Sequence, residues 1–130
     1  MTTTSKTLYR GERSTGSLRD GTWLTDDRDI AAMYGTVHEH AIACRILDLT
    51  WHGVGGDDRQ ALEADLVERG IPAETAARLA GGAWDEVYQM LERADFRAAA
   101  AEAGYGAASC MQWHMDLSPD PYTGVIICRS

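Results

Sequence analysis

The sequence predicts a single α+β domain spanning residues 1–130. Segments with the composition of β-strands lie towards both ends of the chain, and segments whose apolar residues recur at helical spacing occupy the middle. Runs of strands and runs of helices in one short chain pack as a sheet and a helical layer. A chain of 130 residues that is 45% hydrophobic can bury a core of its own without disulfide bonds.

The first two strands are predicted from short apolar segments bounded by loop residues. Thr7 to Arg10 forms the first, and a stretch rich in Gly, Ser and Thr follows it. Gly21 to Thr25 forms the second. Thr25 or Asp26 is then expected to cap a helix that has acidic residues in its first turn and ends at Gly35.

One long third strand is predicted from Val37 to Leu49, where small and β-branched residues dominate. Side chains alternate between the two faces of a strand, so Ile42, Cys44 and Ile46 should share one face. Two further strands are expected at the C-terminal end, Ala107 to Met115 and Thr123 to Arg129.

Four helices are predicted between the glycine-rich link after Trp51 and the glycine at position 104. Their bounds come from caps, glycines and Pro72. In the first of them, Leu62, Leu66 and Val67 should form an apolar stripe, which favours a packed layer that covers the sheet. The first helix is capped by Asp57 or Asp58 and ends at Gly70, and the second runs from Pro72 to Gly81. The third carries Trp84, Val87, Tyr88 and Leu91, and the fourth runs from Phe96 to Ala103.

Composition and charge narrow the function classes. Twenty acidic residues against 12 basic ones give a net charge of -8, which disfavours direct binding of nucleic acid. No stretch approaches the roughly 18 apolar residues of a membrane span, and no apolar leader follows Met1. The three cysteines are widely spaced in apolar runs, as expected for core residues of a cytoplasmic protein. We therefore expect a cytoplasmic protein without a membrane partner.

A metal site is the first alternative that the residues raise. His38 and His40 lie two positions apart and would share one face of a strand, a spacing that can bind zinc or nickel. No third ligand lies at a fixed spacing from them, and a histidine pair on an edge strand is ordinary. The sequence therefore predicts no metal.

Several motifs occur in a fixed order along the chain. Tyr9-Arg10-Gly11 ends the first strand, Gly21-Thr22-Trp23-Leu24-Thr25 forms the second, Ala31-Ala32-Met33-Tyr34 ends the helix, and Gly104-Tyr105 precedes the last two strands. This layout resembles small phage and bacterial ADP-ribosyltransferase-like domains, among them anti-CRISPR enzymes. The resemblance implies a split, mixed or antiparallel sheet with a helical insert.

The resemblance also implies NAD as cofactor and a set of residues that bind it. On the family pattern, Arg10 contacts the adenosine ribose or the phosphates, and Gly11 lets backbone groups approach the nicotinamide amide. Tyr34 would stack on the nicotinamide ring, and Trp23 or Thr25 would shape the pocket wall. The implied cofactor-binding residues are Tyr9, Arg10, Gly11, Trp23, Thr25 and Tyr34.

The catalytic acid of the family is expected on the first of the two C-terminal strands. Gln112 lies near that position, but a neutral amide cannot offset positive charge as a carboxylate does. Asp116 follows on the same strand face as Gln112, and Asp120 and Glu12 are the remaining carboxylate candidates. Gln112 and Asp116 are therefore the predicted catalytic residues.

The function that the resemblance implies is NAD-dependent mono-ADP-ribosylation of a bacterial protein target, with phage anti-defence as one setting. Two alternatives remain open at this stage. A catalytically silent protein of the same fold could inhibit a partner by surface contact, using an acidic helical layer. A toxin could instead use NAD on a small molecule or an RNA end. Fold alone does not separate these.

Overall fold

The computed structural model describes residues 4–12, 20–33, 35–52, 58–82, 86–112 and 121–128. These residues form a six-stranded sheet and five α-helices, a mixed architecture consistent with the predicted α+β class. The strands are β1 (Thr4–Glu12), β2 (Trp23–Thr25), β3 (Thr36–Cys44), β4 (Ile46–Asp48), β5 (Ala107–Gln112) and β6 (Tyr122–Ile127). The helices are α1 (Arg28–Ala32), α2 (Arg59–Glu68), α3 (Ala73–Ala80), α4 (Val87–Leu91) and α5 (Ala94–Glu102), with a 3-10 turn at Thr50–His52.

The sheet has the strand order β3-β1-β2-β6-β5-β4, and its pairs are antiparallel except for β4 with β5. β1 pairs with β3 over its whole length, but in the described residues it meets β2 only where Tyr9 lies opposite Thr25. The described strands therefore form one mixed sheet, consistent with the predicted mixed sheet, and its two halves meet at a narrow junction. The three-residue strand β2 joins the two halves there.

The two edge strands of the sheet are consecutive in the chain, so the sheet must curl to bring its edges close together. β3 and β4 lie at opposite edges, yet Arg45 alone separates them. The Gly106 amide on the β5 side donates to the Arg45 carbonyl at 3.0 Å. The prediction of one long strand from Val37 to Leu49 is wrong: pairing with β1 ends at Cys44, and pairing with β5 begins at Ile46.

Two apolar cores lie on the two faces of this sheet. The smaller core is enclosed by the curl and includes Ile42, with Cys44 and Ile46 packed against it, which confirms their predicted common face. The larger core lies under the helices and includes Phe96, Leu62 and the strand residues that point towards them. The helical segment therefore covers one face of the sheet, as predicted.

Local signals located most of the helices. The Asp58 carboxylate accepts from the Ala61 amide at 3.0 Å and so caps α2, and Pro72 is the N-cap of α3. Gly70 follows α2 with a φ of 104°, a left-handed conformation that glycine adopts without strain. Val67 is 43% exposed, so its predicted place in the apolar stripe of α2 is wrong. Trp84 lies outside the described residues.

Asp27 caps α1, in place of the predicted Thr25 or Asp26. Its carboxylate accepts from the amides of Asp29 and Ile30, at 2.9 and 3.2 Å. Thr25 cannot be the cap because it still belongs to β2. The C-terminal strands begin and end close to the predicted positions, and residues 113–115 of the predicted first strand lie outside the described part of the chain.

Candidate functional site

A cavity of about 630 Å³ opens at the narrow junction of the sheet. Its volume lies within the range of about 300–1,000 Å³ that is typical of small-molecule sites. Strands β1, β2, β5 and β6 form its floor, α1 borders it with Ile30 and Ala31, and α4 supplies the opposing wall. The cavity therefore lies where two halves of the sheet and two helices meet.

The floor is built by strand alternation and register. Tyr9 lies opposite Thr25, and Gln112 lies opposite Tyr122, so the members of each pair share a face. Trp23 is two residues before Thr25 and points the same way. This face is the one covered by the helices, because Trp23 packs against the larger core. Three aromatic rings and one amide thus project from four strands into one cavity.

The Thr25 hydroxyl joins two elements of the site. It donates to the Thr123 carbonyl at 3.1 Å and accepts from the Asp27 amide at 3.1 Å, and Thr25 is only 7% exposed. These bonds tie β2 to β6 and set the start of α1. Thr25 therefore shapes the wall of the cavity mainly by holding its neighbours in place.

The Gln112 amide lies over Gly124 on the neighbouring strand. A Cβ atom built on Gly124 would overlap Oε1 of Gln112 and would come within 3.1 Å of the Trp23 ring. Real Cβ atoms do not approach other atoms so closely. A glycine at position 124 therefore leaves the space that the Gln112 and Trp23 side chains occupy. Gly124 was not among the residues predicted for the site.

Arg97 connects two parts of the cavity rim. Its Nε donates to Oδ1 of Asp20 at 3.0 Å, and its terminal nitrogen donates to the carbonyls of Leu91 and Glu92, at 3.2 and 2.6 Å. The Arg97 side chain is 13% exposed. One guanidinium thereby holds the segment before β2 against the end of α4. No sequence signal indicated this contact, because Arg97 and Asp20 are 77 residues apart.

The α4 wall presents Tyr88 and Glu92, which are one helical turn apart. The Glu92 amide donates to the Tyr88 carbonyl at 3.0 Å, so the two side chains follow one another along the same side of the helix. Both line the cavity, and neither was among the residues predicted to form the site. The guanidinium carbon of Arg28 lies over the Tyr9 ring, 5.7 Å from its centroid.

The structure brings together part of the predicted site. Arg10 is half-buried and borders the cavity. Gly11 lies in β1 opposite Val37, one residue beyond that border. Tyr34, Asp116 and Asp120 lie outside the described residues, as does the Glu12 side chain. The predicted residues that line the cavity are Tyr9, Arg10, Trp23, Thr25 and Gln112.

The buried cysteines are poor nucleophiles. Burial raises the pKa of the Cys110 thiol to about 12, and the nearby Glu92 charge adds to the effect. Burial also raises the pKa of Cys128 to about 12, with a further contribution from Asp20. A thiol with so high a pKa carries almost no thiolate at neutral pH, which agrees with a core role.

The histidines do not gather into a ligand set in the described part of the chain. His38 and His40 are half-buried in the edge strand β3, and His52 pairs with the buried carboxylate of Asp65 at 3.0 Å. Across the described ranges, no group of three or more His, Cys, Asp or Glu side chains could hold a metal ion. His114 lies outside those ranges. None of the described helices has the length and apolar character needed to cross a membrane.

Comparisons with protein-family models, with curated proteins and with solved structures found no match. The cavity presents aromatic rings on its floor and on the α4 wall, an arginine at its border, an amide on the floor and carboxylates on the rim.

Proposed function

We propose that this protein is an NAD-dependent mono-ADP-ribosyltransferase that modifies a protein target in the cytoplasm of a bacterium. The observation that carries the proposal is the convergence of residues from β1, β2 and β5 on one cavity. Positions far apart in the chain, selected from sequence motifs alone, border the same space. They are Tyr9, Arg10, Trp23, Thr25 and Gln112.

The lining suits the parts of NAD, which is a substrate in this reaction. Aromatic rings such as Trp23 and Tyr122 offer faces on which planar heterocycles can stack. Arg10 can make charge-assisted hydrogen bonds to phosphate or ribose oxygens. A globally acidic surface does not prevent this, because one well-placed arginine acts locally. The fit therefore supports a dinucleotide ligand.

The chemistry requires one bond to break and one to form. The bond between ribose C1′ and the nicotinamide nitrogen breaks, and its electron pair stays with the nicotinamide. A lone pair of the acceptor side chain forms the new bond to C1′, and the acceptor's proton passes to solvent. Positive charge grows on the ribose before the new bond forms, so the protein must orient the sugar and stabilise that charge.

We expect Gln112 to orient the ligand and not to neutralise its developing charge. Its amide can both donate and accept hydrogen bonds, so it can hold ribose hydroxyl groups at the floor of the cavity. It carries no charge, which is the observation that favours the second candidate, a protein that binds NAD or a partner without turnover. Consumption of NAD separates the two.

The first test is incubation of the purified protein with a tagged NAD analogue and a bacterial lysate. Labelled proteins are detected by blot and by intact mass, and released nicotinamide is measured in parallel. Arg10→Ala is the diagnostic variant. Arg78→Ala is its matched control, because Arg78 is an exposed arginine on α3 that pairs with Asp95 and does not line the cavity.

A labelled band that disappears with Arg10→Ala and persists with Arg78→Ala would support the transferase. NAD binding without label or nicotinamide release would favour the silent binding protein. Unchanged NAD affinity in a folded Arg10→Ala variant would remove the central premise of the proposal.

A further inference from the structure

A negative charge in the cavity would favour the proposed ligand, and the floor does not supply one. Oxidised NAD carries a positive pyridinium ring, and Gln112 on the floor is neutral. Among the described residues, the carboxylates that line the cavity are Asp20 and Glu92. Asp20 is already paired with the Arg97 guanidinium at 3.0 Å, which leaves Glu92 as the available charge.

The Glu92 side chain is exposed. Within the described part of the chain, its carboxylate takes part in no hydrogen bond or ion pair, and the bonds at this residue belong to its backbone. The amide donates to Tyr88 and the carbonyl accepts from Arg97. These bonds fix the position of the residue and leave its carboxylate without a bonding partner among the described residues.

Two observations indicate that Glu92 lies near the floor. Glu92 lines the same cavity as Gln112 and Tyr88. Its charge also acts on the buried thiol of Cys110, whose pKa is raised first by burial and then by Glu92. Cys110 lies two residues before Gln112 on β5, on the same face of the strand. The negative charge of Glu92 on the α4 wall therefore lies near the part of the floor that holds Gln112.

We propose that Glu92 and Tyr88 form a subsite for the cationic nicotinamide ring and make the cavity select NAD⁺ over NADH. The inference depends on the proposed function, since it names the part of the ligand that this wall receives. A tyrosine face attracts a cation through its ring quadrupole, and a carboxylate adds direct charge attraction. The reduced ring of NADH is neutral and gains neither contribution.

The test is a binding titration with NAD⁺ and with NADH on three proteins: the unchanged chain, Glu92→Gln and the control Glu102→Gln. Glu102 is an exposed acid of α5 that does not line the cavity, so the control removes the same charge elsewhere. Nicotinamide release is monitored so that turnover is not taken for binding. Thermal unfolding confirms that each variant is folded.

The unchanged protein should bind NAD⁺ about tenfold more tightly than NADH, and Glu92→Gln should abolish that preference while NADH affinity stays constant. Glu102→Gln should keep it. A second pair of variants tests the ring: Tyr88→Phe should retain the preference, and Tyr88→Leu should reduce it.

Each remaining outcome overturns a defined statement. Equal affinity of the unchanged protein for NAD⁺ and NADH would overturn the subsite. An intact preference in folded Glu92→Gln would also overturn it, while the proposed function would stand. A failure of the unchanged protein to bind either dinucleotide would instead overturn the proposed function.

Discussion

The guanidinium of Arg97 holds the carboxylate of Asp20 at 3.0 Å while the same side chain donates to two carbonyls at the end of α4. Asp20 lies before β2, and Arg97 lies in α5, so one residue connects the sheet junction to the helical layer. The rim of the cavity depends on this connection. Loss of this contact should lower both the free energy of unfolding and the affinity for the ligand.

Arg97→Ala should lower the free energy of unfolding by about 2–3 kcal/mol, because it leaves one carboxylate and two carbonyls without their donor. Urea denaturation measures the change, and a titration with NAD⁺ should show weaker binding in the folded variant. Arg93→Ala is the control, since Arg93 is an exposed arginine paired with Asp95 and lies outside the cavity. Equal effects of the two substitutions would contradict the role of Arg97 at the rim.

Gly124→Ala should destabilise the protein by about 1–3 kcal/mol, because the added methyl group must displace the Gln112 amide. The double variant Gly124→Ala with Gln112→Ala should recover part of that loss, which is a coupling that two independent sites would not show. Chemical denaturation of the four proteins completes the cycle. Strictly additive effects would mean that the close contact with Trp23 alone decides the cost.

Thr25→Val should lower the free energy of unfolding by about 1–3 kcal/mol, since it removes the hydroxyl that serves Thr123 and Asp27. Thr25→Ser keeps the hydroxyl and should remain within about 1 kcal/mol of the unchanged protein. Thermal and urea unfolding measure both variants. If Thr25→Val kept full stability but lost NAD binding, Thr25 would be a ligand contact and not a structural link.

Asp48 should contribute to the loss of stability of the protein at acidic pH. Burial alone raises its pKa, but hydrogen bonds from Thr50 and Ser109, together with the Arg69 charge, outweigh burial and hold the pKa below its ordinary value. A carboxyl whose pKa is lowered by folding stabilises the protein above its ordinary pKa of about 4, and that contribution is lost as pH falls through the lower folded value.

Asp48→Asn should therefore be less stable than the unchanged protein at pH 6, and the difference should shrink as the pH is lowered towards 2. Melting temperatures across this range provide the measurement. Glu63→Gln, an exposed change on α2, should show no such convergence. A constant difference at all pH values would mean that the Asp48 carboxylate is not stabilised by its neighbours.

The sequence by itself determined the elements whose ends are set by local chemistry. Asp58 begins α2 because its carboxylate accepts an amide of the first turn, and Pro72 precedes α3 because its fixed φ suits a helix start. The chain also contained the motif residues that border the cavity, among them Tyr9, Trp23 and Gln112. Each of these signals lies within a few residues of the feature that it predicts.

Tertiary structure alone decided the features that depend on partners distant in the chain. Strands β3 and β4 separate at Arg45 because their partners, β1 and β5, lie at different places in the sheet, and no local pattern distinguishes the two registers. The rim contact of Arg97 with Asp20 and the place of Glu92 in the cavity arise only when α4 and α5 pack on the sheet. Packing brings together charged residues that are far apart in the sequence. It therefore decided which carboxylate lines the cavity without a partner among the described residues.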